Sequence, residues 1–358
     1  MKLLYVKRML IGCIVFFLGS GCLPKTIIDD VNLVQAVIFE AYKKQIRMTF
    51  IAPQRTKGNK VQIFQSTAHS MKGAKQLANI QAGRPLVSGQ LRVALFSQSL
   101  AEQGLSASID VLTREASIGH ALQIAIIEGD VKKFVTYPYQ TTENVSLYLY
   151  RLLNHNMDQG VLPHMNLHAS SFKFYQEGSD TFFPIVRHTN GKIHITGVAL
   201  FKREKMVGEV KAKDLFIFKG LLEKHAFDMH TFSYGSNSIV IQNIVSQPKY
   251  TLKTYKGTPA FFIDVHIKGR IQEITGNENL QQRHVVKRIE QAIEQDLKRK
   301  SQYLIQQFQV LHTDPLGLGK KWKEINRSFQ EKEWEEQYPN FSIHTSYHVT
   351  LTNSGVIE

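Results

Sequence analysis

The chain has 358 residues, long enough for two or three domains that each bury a core. Its 44 Lys and Arg against 30 Asp and Glu give a net charge of +14, which suits either nucleic acid or an anionic membrane surface. The two cysteines, Cys13 and Cys22, both lie near the start, which excludes a disulfide framework for the body of the chain.

Basic Lys2, Lys7 and Arg8 precede an apolar run from Met9 to Leu18, and the small residues Gly19, Ser20 and Gly21 lead into Cys22. This is the layout of an export signal, and the run is about half the ~20 apolar residues needed to span a bilayer. Small residues directly before a cysteine resemble a bacterial lipobox, in which the sulfur receives a diacylglyceryl group and the cysteine becomes the first residue after cleavage. Leucine usually stands three places before that cysteine; here Gly19 does, with Leu18 one place further out. Residues 1–21 are therefore expected to leave as a signal peptide, taking Cys13 with them, and Cys22 to be the lipidation site. Export and a lipid anchor favour a membrane surface over nucleic acid as the counterpart of the basic charge.

After the leader, "VNLVQAVIFEAYKKQIRMTFIAP" reads as a hairpin around "EAYKK", stopped by Pro53. From Val61 the pattern alternates: a strand "VQIF", a helix "SMKGAKQLANIQAG", a strand "LRVALFS", a helix "SLAEQGLSASIDVLTRE" and an apolar run "ALQIAIIEG". Strands alternating with helices predict an α/β unit with a partly parallel sheet. "TENVSLYLYRLLNHNMDQ" follows as a helix capped by Thr142, with Val145, Leu147, Leu149, Leu152 and Leu153 on its buried face. Near Pro184 the composition returns to strands, and "GKIHITGVALFKREKMVGEV" reads as a second hairpin. A boundary here divides an N-terminal α/β region, residues 22–186, from a C-terminal region, residues 187–358.

In the C-terminal region "SIVIQNIV", "YTLKTY" and "AFFIDVHIKGRIQEI" read as successive strands, the last with Phe261, Ile263, Val265 and Ile267 opposite Asp264, His266 and Lys268. A long helix follows, with Val286, Ile289, Ile293, Leu297, Leu304, Phe308 and Leu311 at three-four spacing until Pro315 and two glycines end it. A second helix is expected to carry Trp322, Ile325 and Phe329, and a final strand to alternate Phe341, Ile343, Thr345, Tyr347, Val349 and Leu351 with polar residues. The fold class is therefore mixed α+β, multi-lobed, with a C-terminal antiparallel sheet packed against the long helix.

Chemistry-bearing motifs are sparse. In "HMNLH" His164 and His168 would share one face of a helix, but Met165 stands where a zinc-protease helix needs glutamate, and no third ligand presents itself. His344 and His348 on a strand would lie roughly 13 Å apart, too far for one ion. "YGSNS", Tyr234 to Ser238, lacks the second glycine of a nucleophile elbow and reads as a turn. "GLGKK", Gly317 to Lys321, lacks the earlier glycine and the hydroxyl residue of a phosphate loop and reads as the end of one helix and the start of the next. No catalytic residue, metal site or cofactor site is assigned.

Several stretches taken together resemble one family, the Ger(x)C lipoproteins, which are the C subunits of spore nutrient germinant receptors. They are the signal ending in "GC" before "IIDDVNLV", the block "GQLRVALFSQSLAEQGLSASIDVLTREASI" with Arg114 in its turn, "ITGVALFKREKMVGEV", and "DPLGLGKKWKEI…WEEQYPNFSIHTSYHVTLTNSG". The chain departs from the family in having Leu23-Pro24-Lys25 where a Trp-Asp-Arg cluster is common, and Gln90 where histidine is common. The resemblance implies three compact α/β lobes, anchored to the outer face of the inner spore membrane beside two integral membrane subunits of the A and B types. Such a protein would be non-enzymatic and bind no nucleic acid, and Cys22 is the one site residue carried over. Two other classes remain as alternatives. A solute-binding lipoprotein of a transporter would show two similar α/β lobes about a cleft, and an anchored cell-wall hydrolase would need paired carboxylates or a nucleophile with its base.

Overall fold

The computed structural model describes residues 28–54, 61–139, 141, 143–276 and 278–353. The expected leader, Cys22 and Thr142 lie outside the described residues. The first hairpin forms from β1 (Ala36–Tyr42) and β2 (Gln45–Pro53), and β3 (Val61–Ala68) adds antiparallel to β2. Helix α1 (Met71–Gln81), capped by the Ser70 hydroxyl, leads to β4 (Val93–Ser97). The single helix expected next is two, α2 (Gln98–Gln103) and α3 (Ser106–Arg114). They part at Gly104, whose φ of +132° only glycine adopts without strain.

Strand β5 (Gln123–Glu128) follows, then α4 (Val131–Thr136), α5 (Val145–Asp158) and α6 (Leu167–Tyr175). The cap of α5 is Asn144, two places after the expected threonine; its Oδ1 accepts the N–H groups of Ser146 and Leu147. Strands β6 (Phe182–Thr189), β7 (Lys192–Lys202) and β8 (Lys205–Lys211) complete an eight-stranded sheet in the order β8-β7-β6-β5-β4-β1-β2-β3. Its centre, β1, β4, β5 and β6, is parallel, and the flanks are antiparallel. Every residue of β4 is buried, because a parallel centre is covered on both faces and needs continuous apolar sequence. The division expected between residues 186 and 187 falls within β6, and this sheet continues through it to Lys211.

Helix α7 (Leu215–Leu222) leads to β9 (Met229–Tyr234), β10 (Asn237–Tyr255) and β11 (Thr258–Ile274), which pair antiparallel in that order. The two strands expected around Pro248 are the single strand β10. β9 pairs with residues Asn237 to Gln242, so at Pro248 the strand has an open edge and the missing N–H costs no ladder bond. Helices α8 (Arg283–Val310), α9 (Leu318–Ile325) and α10 (Glu331–Gln337) precede β12 (Ser342–Asn353).

β12 pairs parallel with β11, so the C-terminal sheet is antiparallel over three strands and parallel at the last, where a wholly antiparallel sheet was expected. The cause is α8, which runs back along the sheet and returns the chain to the end where β11 began. Its buried stripe is Val285, Ile289, Ile293, Leu297, Ser301, Leu304, Ile305 and Phe308. The i+4 spacing puts Val285 inside where Val286 was expected. The expected second helix stops at Ile325, which is 64% exposed rather than part of the core, and Phe329 lies in the turn before α10. Three side chains of α8 engage the backbone of β12: Glu294 and Glu290 accept the N–H groups of Val349 and Leu351, and Gln302 donates to the Ile343 carbonyl.

Candidate functional site

The two sheets meet at a polar joint that buries two carboxylates. Asp314, just after α8, is 3% exposed, and its two side-chain oxygens accept the N–H groups of Leu318 (3.0 Å) and Gly319 (2.8 Å), which α9 leaves without partners of its own. Its own N–H donates to Oδ2 of Asp180 (2.8 Å), and the Asp180 N–H donates back to the Asp314 carbonyl (2.9 Å). Burial pushes the Asp314 carboxyl up to about 6, against the lowering pull of the two amides. Asp180 also accepts the Arg203 N–H (2.9 Å) and faces the Lys202 ammonium at 3.5 Å. Lys202, which ends β7, and Arg203, in the turn that follows, both pair with Glu335 of α10, at 2.9 and 3.1 Å.

Two glycines let the backbones close here. Gly178 has φ +73°, and a Cβ on it would meet the backbone of Gly319; a Cβ on Gly319 would meet the Trp334 indole nitrogen. The Lys320 N–H donates to the Gly178 carbonyl at 2.8 Å. The "DPLGLGKKW" stretch is thus a joint: Asp314 caps, Gly319 admits the opposite backbone, and Trp322 stacks edge-on against Trp334 at 5.3 Å.

Fixing α9 in this way places Lys320 and Lys323 beside α6. Between α3, α6 and α9 lies an open groove of about 700 Å³, lined by Thr113, His168, Phe172, Tyr175, Lys320 and Lys323 among others. Phe172 and Tyr175 are 59% and 71% exposed, with the Lys320 ammonium 5.5 Å over the Phe172 ring and Lys323 paired to Glu177 at 2.7 Å. Exposed aromatics beside cations at a seam between lobes suit binding of a partner or ligand. As a nucleophile Ser171 is poorly placed, since its hydroxyl donates to the Leu167 carbonyl at 2.7 Å. A second void, under α1 and lined by Val37, Phe39, Met71 and Leu112, holds about 50 Å³. Small-molecule sites occupy roughly 300–1,000 Å³, so this is a packing gap.

The histidines named from sequence do not converge. His164 sits in the loop before α6 with Nδ1 3.4 Å from Glu223, while His168 is on the helix with its ring 5.9 Å from that of His120. Among the described residues no three His, Cys, Asp or Glu side chains gather as metal ligands would. His344 stacks on Phe262 and His348 on His266. Within Tyr234 to Ser238, Gly235 and Ser236 form the turn between β9 and β10, and Gly317 to Lys321 open α9, as read from the sequence. Cys22 lies outside the described residues. Sequence reading missed Asp180, Lys202 and Glu335, which no periodicity links to Asp314.

The N-terminal part, residues 24–188, matches the family model described as spore germination protein N-terminal domain, and residues 196–355 match spore germination B3/GerAC like, C-terminal. The chain belongs to the Ger(x)C spore germination family. Ger(x)C proteins similar to it include the spore germination protein GerQC of Bacillus cereus, 28% identical over 99% of this chain and 100% of that protein. The putative spore germination protein YfkR of Bacillus subtilis (strain 168) is 19% identical over 98% of this chain and 97% of that one. The crystal structure of the GerBC protein shares the fold, with a TM-score of 0.56 and 17% identity over 90% of this chain and 99% of that chain. The "DPLGLGKKW" stretch lies within the matched Ger(x)C C-terminal domain, and Gly178 and Asp180 opposite it lie within the N-terminal one.

Proposed function

We propose that this Ger(x)C chain is a non-enzymatic subunit of a nutrient germinant receptor. It is anchored through a diacylated Cys22 to the outer face of the inner spore membrane and docked there on two integral membrane subunits. The observation that carries the reading is the family match over both halves of the chain, joined to a leader that ends in Gly21-Cys22. No helix among the described residues is long and apolar enough to cross a membrane, and two acyl chains suffice for stable attachment where one does not. The seam groove, with Phe172 and Tyr175 exposed, offers the docking surface. The two sheets differ in size and strand order, which argues against the paired lobes of a solute-binding protein.

Purification from spore membranes is expected to recover two multi-spanning proteins with this chain, and the N-terminal peptide is expected to carry a diacylglyceryl group on Cys22. Recovery with an ATP-driven permease instead would favour the solute-binding reading. An unmodified Cys22 would remove the anchor.

A further inference from the structure

The C-terminal sheet has one face under α8 and the other uncovered. On the uncovered face the outward positions of β10, β11 and β12 alternate with the buried stripe, and they carry Lys249, Lys253, Lys268 and Arg270, all exposed. Lys256, at the hairpin tip, extends the row. The carboxylates among these positions are Asp264, which accepts the Ser346 hydroxyl, and Glu273, opposite Val240 near the end of β11. Some exposed cations elsewhere have acidic partners, as Arg299 does in Asp296 and Lys323 does in Glu177, while others such as Lys298 have none among the described residues; this face differs in gathering several on one open surface. Among the described residues none of the five cations on this face has an ion-pair partner. Two of them stand over aromatic rings at the hairpin end, Lys253 at 5.8 Å from Phe262 and Lys256 at 5.4 Å from Tyr255.

Unpaired cations spread over a long, open sheet face repel one another in the free protein, and a counter-surface of negative charge relieves that repulsion. A protein partner would have to present acidic groups matched to each cation, whereas a layer of anionic headgroups is negative everywhere and adapts to the spacing. Aromatic rings beside lysines are the side chains that settle at a membrane–water interface. We infer that the uncovered face of the C-terminal sheet lies against an anionic phospholipid surface and so sets how the anchored protein stands on its membrane. This rests on the anchored reading, to which it adds an orientation.

The test uses the full chain with its anchor, reconstituted into vesicles of phosphatidylcholine alone or mixed with phosphatidylglycerol. A fluorophore is placed at Thr350→Cys on the sheet face or at Gln295→Cys on the exposed side of α8, and a quencher is attached to the lipid headgroups. The sheet-face label is expected to be quenched at least about threefold more in the anionic vesicles than in the neutral ones. High salt should abolish that difference, as should a variant with Lys249, Lys253, Lys268 and Arg270 all changed to Gln. The α8 label should not respond to lipid charge. Since the four replaced side chains are exposed, an unchanged unfolding temperature confirms that the variant is folded.

Equal quenching of both labels would overturn the inference, and shielding of Thr350 seen only in native membranes would assign the face to an acidic protein. If Cys22 proves unmodified, flotation of the protein with anionic but not neutral vesicles, lost in the four-Gln variant, still supports the inference. Flotation with neither would overturn it.

Discussion

In the eight-stranded sheet β4 is buried along its whole length and β5 along nearly all of it, whereas β11 in the smaller sheet alternates from Phe261 to Ile271 between buried residues and half-buried or exposed ones. The same backbone geometry therefore makes two different demands on sequence. A strand covered on both faces has no position that accepts a charge, and a strand covered on one face accepts charges at half its positions.

Breaking this contrast gives the largest expected effect. Ile126→Asp places a carboxylate in the middle of β5 with no exposed side to turn to, and the protein is expected to lose its cooperative unfolding transition. Lys268→Ala on the bare face of β11 should leave that transition within about 0.5 kcal/mol of wild type, as urea denaturation would show. The next test sharpens the same contrast on α8. Ile293→Asp, on its buried stripe, should cost about 4 kcal/mol, while Lys298→Ala on its exposed side should cost almost nothing. Equal, small effects would mean that the stripe does not face the sheet.

The joint between the sheets responds to pH in an unusual direction. The Asp314 carboxyl is raised from 3.8 to about 6 by burial, so between those values the folded protein keeps a proton that the unfolded chain has released. Its contribution to stability is present below about pH 4 and is lost as pH rises through 6, a loss of about 3 kcal/mol in all. Asp314→Asn has no such proton, so denaturation from pH 4 to 7 should show the variant gaining on wild type across that window. A constant difference would remove Asp314 as the titrating group. Within the joint a smaller effect than that of Asp314 is expected at the partly exposed Glu335, whose pairs with Lys202 and Arg203 are screened by water; Glu335→Gln should cost less than about 1 kcal/mol in thermal unfolding.

Periodic features were legible in the sequence and contacts between distant residues were not. The alternating β11 and the stripe on α8 follow from spacing at period two and near four. The first hairpin follows from two β-rich runs about a polar turn, and the parallel centre from continuous apolar runs between helices. The break at Gly104 was hidden because the residues on both sides favour helix, and β10 looked divided because Pro248 reads as a breaker until its open edge is known. The parallel pairing of β12 depends on where α8 delivers the chain, which no local pattern encodes. Within the candidate site, the Asp314 motif stood out as a string of letters, yet its partner Asp180, and Lys202 which pairs with Asp180, lie more than a hundred residues upstream and carry no shared signal.

The parallel docking of β12 also sets a schedule. The strand that completes the smaller sheet, and that Glu290, Glu294 and Gln302 of α8 hold in place, is made after every element it touches. While the chain is being synthesised, the inner faces of β11 and α8 have no strand at residues 342–353 to close over them, so this lobe locks only when those residues are released. Non-local pairing of this kind is slow to form. On the proposed reading, in which the chain is exported, that delay keeps the C-terminal lobe threadable until transport is nearly done, and it makes the last strand the latch of the folded state.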